Sequence, residues 1–230
     1  MPLKHAKLPV DRPQGSEPGT QFVFEANPAE PVLYLPPILS LLPVEYRQLT
    51  TSLVDNQTAG QPTPLSTESH LPSIDKASLS LHLALHRFRA VTREYATVAY
   101  AEAFNWDEIE LPEDDEHDWY CVAFNSKRRA GSDGDGLYSA DKLAHEEAVH
   151  NGGLIMYWYG TPHPVTGMNL ATCIWQSRQD AIVATSRPHH KHAMRLAAAS
   201  YDHYTLRRFW LRKVKGERRV TIEPFDVARS

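Results

Sequence analysis

The chain has 230 residues, 42% of them hydrophobic, enough to bury a sizeable core and to suggest one domain with a long extension. A net charge of -4 and a pI near 6.3 give no basic field, so no nucleic-acid partner is expected. Two cysteines are too few for a disulfide framework, and no run approaches the roughly 18 apolar residues of a membrane span, so a cytoplasmic protein is expected.

Residues 1–20 and 55–72 are rich in Pro, Ser, Thr, Gly and Gln and read as a disordered tail and a linker. Between them "FVFEANPAEPVLYLPPILSLLPVEYRQL" is apolar but cut by Pro28, Pro31, Pro36, Pro37 and Pro43. It can supply only short extended pieces, or one short helix after Pro43, laid against another surface. "SIDKASLSLHLALHRF" offers Ser73 or Asp75 as N-cap and places Leu79, Leu83 and Leu85 at helical spacing, which predicts a helix. "EDDEHD" (113–118) is an acidic turn.

Beyond it the elements follow one another. "DWYCVAFNSK" predicts a strand, "GSDGDG" a loop, and "SADKLAHEEAVHNGG" a helix with Ser139 as N-cap and Gly152 as stop. Strands 154–160 and 169–176 are joined by the turn-forming "TPHPVTG". "SRQDAIVATSRPHHKHAMRLAAASYDHY" is helical, with Pro188 opening a second segment. "YTLRRFWLRKV" and "RRVTIEPF" close the chain as strands across a turn at Lys215, Gly216 and Glu217.

Strand, helix, strand, strand, helix, strand is the ferredoxin-like order, an α+β fold with both helices on one face of an antiparallel sheet. Residues 118–230 are assigned to that domain, and 21–117 to an N-terminal extension whose helix packs on it. "LIMYWYG", "CVAF" and "FWL" are apolar on both sides, so the second sheet face must also be covered. A sister subunit or the extension could do this; the extension is the expected cover, with a pocket left in the structure, and a homodimer stays open.

"LHLALHRFRAVTREYATVAYAEAFNWDE", "MYWYGTPHPVTGMNLATCIWQSRQDA" and "RPHHKHAMRLAAASYDHYTLRRFWLRKVKGE" together resemble an uncharacterised fungal protein family over about residues 71–225. The resemblance implies a fungal source and a fold similar to the dimeric α+β barrels, and it transfers no catalytic residues. Small proteins of unassigned fold class are encoded in fungal natural-product pathways, and some of those act as cofactor-free cyclases, which supplies the context for a functional expectation.

Aromatic and small polar residues carry the candidate site. On strand 154–160, Met156 and Trp158 share one face while Tyr157 and Tyr159 share the other. On strand 169–176, Asn169, Ala171, Cys173 and Trp175 alternate with Leu170, Thr172 and Ile174. Plain core accounts for either set, but buried Tyr and Trp need partners for their polar atoms, and an apolar cavity with a few oriented donors is how small-molecule sites are built. The tyrosine pair is assigned to the pocket, because two buried hydroxyls without partners would each cost about 1–3 kcal/mol. Tyr157, Tyr159 and Trp175 are the expected wall, Asn169 and Thr172 the orienting groups, and Tyr201 and Tyr204 the rim.

"HHKH" sets His189 and His192 at i and i+3, one of them the expected catalytic donor; solvent-facing or capping roles weigh against this. No carboxylate or Cys stands in register with them and HExxH is missing, so no metal is expected. Ser177 and Ser200 lack a GxSxG elbow, "GSDGDG" lacks a phosphate-binding lysine and calcium-loop spacing, and no dinucleotide fingerprint is present, so no cofactor is expected. The leading expectation is a cofactor-independent enzyme of fungal secondary metabolism, a [4+2] or related cyclase or isomerase acting on an apolar polyketide- or terpenoid-like substrate. A non-catalytic binding or stress-response protein and a haem or cofactor-free monooxygenase are the alternatives.

Overall fold

The computed structural model describes residues 36–46, 48–49 and 63–226. Seven strands, β1 (Ile38–Leu41), β2 (Leu65–His70), β3 (His117–Arg128), β4 (Leu154–Tyr159), β5 (Met168–Trp175), β6 (Tyr201–Lys213) and β7 (Val220–Pro224), form one sheet in the order β2-β1-β4-β5-β3-β6-β7. All pairings are antiparallel except β1 with β2. The helices are α1 (Lys76–Ala84), α2 (Tyr100–Ala103), α3 (Gly134–Asn151), α4 (Arg178–Thr185) and α5 (Pro188–Ser200). The central order β4-β5-β3-β6, with α3 after β3 and α4–α5 after β5, is the ferredoxin-like α+β arrangement expected from the sequence.

Local chemistry sets the helix limits. Asp75 caps α1 by accepting from the Ser78 amide at 2.9 Å, and Ser177 caps α4 by accepting from the Asp180 amide at 3.2 Å. Pro188 opens α5, where its missing N–H is no loss. The cap of α3 is Asp133, whose carboxylate accepts from the Gly136 amide, so the helix starts inside "GSDGDG" and Ser139 lies in its second turn. Gly152 and Gly153, at φ 97° and 98°, stop α3 and turn the chain into β4. Helix α5 ends at Ser200, so Tyr201 and Tyr204 belong to β6, where Tyr204 pairs with Ser126.

Of the linker expected over 55–72, residues 55–62 lie outside the described residues, and the remainder needs correction. Residues 65–70 are β2, parallel to β1, and on this outer edge the Glu68 and Ser69 amides donate to the Glu146 carboxylate of α3 at 2.9 and 2.7 Å. A helix side chain thus takes the place of a further strand, which propensity alone does not reveal. The tail expected over 1–20 lies outside the described residues.

Two covers give two cores. The chain's own residues 71–111 close one face over Trp119, Cys121, Met156, Trp158, Leu170, Ile174 and Leu211, adding Leu81, Leu85, Tyr100, Phe104 and Trp106. Two polar side chains there find partners: Trp119 Nε1 donates to Ser78 Oγ at 2.8 Å, and Asn125 Nδ2 to the Ala96 carbonyl at 2.7 Å. Helices α3, α4 and α5 lie over the other face, which presents Tyr120, Val122, Phe124, Tyr157, Tyr159, Cys173 and Trp175.

Candidate functional site

Between the helix layer and the sheet lies a cavity of about 950 Å³. Its origin is in the side chains the helices turn inward: Ala144 and Ala148 of α3, Ala181 of α4, Ala193 and Ala197 of α5. Methyl groups let α3 and α5 pack closely on each other through Ala140, Ala144 and Ala193, yet they are too short to fill the space down to the strands. On the sheet side the floor is a grid of outward residues in register, Tyr120 beside Trp175, Val122 beside Cys173 and Arg208, Phe124 beside Ala171 and Leu206, Ser126 beside Asn169 and Tyr204. Ile182, Met194, Tyr204 and Leu206 line the cavity and remain exposed, which marks the mouth between the α4–α5 layer and β6.

A polar cluster stands in the wall where α3 faces β4. Asp141, half-buried on α3, is the only acidic side chain among the described lining residues. The Tyr159 hydroxyl donates to its Oδ2 and lies 3.4 Å from His145 Nδ1, while His145 Nε2 is 3.7 Å from Asp141 Oδ1. The His145 ring packs on Tyr157 at 3.8 Å between centroids, and Tyr157 lies 4.5 Å from Tyr159. Burial, reinforced by the Asp141 charge, holds the Tyr157 and Tyr159 phenols well above the ordinary range, so both stay protonated donors. Tyr201 is pushed up to about 12 by the same two causes, and Tyr204 is raised too. Burial lowers His145 against the pull of Asp141 and Glu146, which favours a neutral imidazole beside a carboxylate. Cys173, pushed up to about 12 by burial, is a thiol in the floor and no nucleophile at neutral pH.

Of the residues singled out in the sequence, Tyr157, Tyr159, Asn169, Trp175, Tyr201 and Tyr204 all line this one cavity. Thr172 does not: it is buried on the opposite face, 2.7 Å from the Tyr100 hydroxyl and donating to the Val122 carbonyl at 3.0 Å. Strand parity separates it from Asn169 and Trp175, which no orienting role can overcome. His189 and His192 are exposed and outside the lining; the face of α5 that turns inward is His190, Ala193, Met194 and Ala197, at i, i+3, i+4 and i+7. His190 is therefore the histidine of "HHKH" at the cavity. Tyr138, Asp141 and His145 were missed, although their i, i+3, i+7 spacing on α3 places all three on one helix face. Among the described residues no group of three or more His, Cys, Asp or Glu could hold a metal ion.

Fold and cavity together define an α+β ferredoxin-like protein with a small-molecule-sized space under its helices. Within that class, the chain belongs to the PB2B2.08-like family, whose model matches residues 61–224. The UPF0643 protein PB2B2.08 of Schizosaccharomyces pombe is 31% identical over 137 residues, 53% of this chain and 62% of the relative, so the match spans less than two thirds of that protein's length. Among solved structures, SnoaB, a cofactor-independent oxygenase from Streptomyces nogalater, is similar at TM-score 0.35 and 10% identity over 44% of this chain and 99% of that one. An anthrone oxidase-like protein is similar at TM-score 0.32 and 12% identity over 61% of this chain and 56% of that one. Likeness at this level speaks to neither reaction nor substrate. No helix among the described residues is long and apolar enough to cross a membrane.

Proposed function

We propose that the cavity is the active site of a cofactor-independent isomerase or cyclase acting on an apolar carbonyl compound. The observation that carries this reading is the hydrogen bond from Tyr159 to Asp141 in the cavity wall, with His145 alongside. A substrate carbonyl that takes the Tyr159 hydroxyl in place of Asp141 gains a neutral donor and leaves the carboxylate free. Asp141 can then remove a proton from the carbon beside the carbonyl, while Tyr159 stabilises the developing enolate oxygen. Return of that proton to a different carbon completes an isomerisation with no net change of atoms or electrons. The cyclase version uses the same parts: the aromatic wall holds a polyene folded, and the hydroxyl polarises the carbonyl that activates it.

A panel of apolar β,γ-unsaturated ketones tests this. Wild type should convert a member to the conjugated isomer, read by ultraviolet absorbance, and in D2O should place deuterium on the carbon chain. Asp141→Asn should abolish both signals, and Tyr159→Phe should lower them about 100-fold, within the usual span for one preorganised donor. Conversion that survives Asp141→Asn would refute the assignment, and ketones that bind unchanged would leave a carrier protein as the better reading.

A further inference from the structure

The cavity has a second polar end. Arg208 on β6 and Arg178 at the start of α4 both line it, beside Tyr120, Trp175 and Phe225. Both guanidiniums act on one phenol: burial raises Tyr120, and the charges of Arg208 and Arg178 pull it back. Arg178 also sits 5.4 Å over the Phe225 ring. Neither arginine has a carboxylate partner among the described residues, whereas Arg89, Arg129, Arg212 and Arg218 are all ion-paired. Trp210 Nε1, in the same cluster with Tyr120 and Phe225, is a buried donor without a partner.

Two unneutralised cations beside the Tyr120 hydroxyl at one end of the chamber favour an anion. Arg208 is exposed, so the charge it receives stays close to water while an apolar body goes inward, and little desolvation opposes binding. Register fixes the distance to the other end. Arg208 stands opposite Val122, Val122 opposite Cys173, and Cys173 opposite Tyr157, with Tyr159 two residues further on. Three strand spacings and two residues of rise separate the two positions by on the order of 15 Å.

We propose that Arg178, Arg208 and Tyr120 form an anion subsite for the terminal carboxylate of an elongated apolar acid whose far end reaches Asp141 and Tyr159. This rests on the cavity being the substrate site and names the class of substrate it takes. A planar carboxylate matches the fork of a guanidinium, with the Tyr120 hydroxyl as a third donor. The mouth along β6 lets the apolar body enter side-on past Leu206 and Met194.

Titration calorimetry with dodecanoate and dodecanol, which share a chain and differ in the head group, tests the subsite on the full chain. Wild type should bind dodecanoate at least tenfold more tightly than dodecanol, and the preference should shrink as salt is raised. The double variant Arg178→Gln, Arg208→Gln should bind both within about twofold, with dodecanol affinity unchanged. Equal binding by wild type overturns the subsite and leaves the cavity reading standing, as does an acid preference that survives both substitutions. If neither probe binds, the cavity reading falls and the subsite with it.

Discussion

Trp158→Ala and Tyr157→Phe alter neighbouring positions on β4 that point to opposite covers, and they should fail in different ways. Trp158 is 1% exposed, with Tyr95 edge-on at 5.2 Å and Phe104 edge-on at 5.0 Å on the extension side. Truncating such a side chain should destabilise by about 3–5 kcal/mol, transfer and cavity terms together. Against the 5–15 kcal/mol typical of a domain that is a large fraction, and at about 2–4 °C per kcal/mol it predicts a melting temperature lower by about 6–20 °C. Tyr157 is 8% exposed, and its hydroxyl makes no hydrogen bond with a described residue, so Phe keeps the ring on His145 and loses only a group directed at the cavity. Its stability should stay within about 0.5 kcal/mol of wild type while ligand affinity falls about fivefold or more. Urea denaturation followed by circular dichroism gives the first quantity and calorimetric titration the second. A Tyr157→Phe protein that unfolds easily and binds normally would show that the hairpin is structural on both faces.

Filling the space offers a second test. Ala197→Phe places a ring where α5 faces the cavity, and should reduce probe binding at least tenfold without the 1–3 kcal/mol that overpacking a filled core would cost; unimpaired binding would place the ligand elsewhere. A third concerns pH. Burial lowers His82 from 6.5 to about 4, against its hydrogen bond to the Ser40 carbonyl at 2.8 Å. The unfolded chain therefore takes up a proton before the folded one, and about 3 kcal/mol present above pH 6.5 is lost as pH falls towards 4. His86, His145 and His190, also lowered, act in the same direction. His82→Gln should flatten the melting-temperature profile between pH 4 and 6.5, and an unchanged slope would refute the assignment.

Period-two alternation in "LIMYWYG" and "MNLATCIW" made the sheet's two faces legible, and with them the side on which Tyr157, Tyr159, Asn169 and Trp175 lie. Thr172 fails for the same reason the others succeed, since parity sends it to the extension. Helix faces were harder to assign, because α5 has polar residues around most of its circumference and its inward stripe is marked by alanines instead of large apolar groups. A cluster of histidines drew attention to His189 and His192, while the alanine spacing would have chosen His190. Strand β2 was illegible because "LSTESH" has only one large apolar residue; its amides are satisfied by β1 and Glu146, contacts set by the tertiary fold.

Strand parity also explains how one sheet can be both rigid and hollow. The face under residues 71–111 receives Trp106, Trp119, Trp158, Tyr100 and Phe104, and tryptophan and phenylalanine rings interlock there at centroid distances near 5 Å. With that face packed, the opposite face need not be filled, and its helices can present alanine where a closed core would require leucine or phenylalanine. Were the extension missing, Trp119, Met156 and Trp158 would form an exposed apolar sheet face of the kind that drives association. The extension thus covers the surface that a sister subunit would otherwise have to cover, and the space beneath the helices stays open.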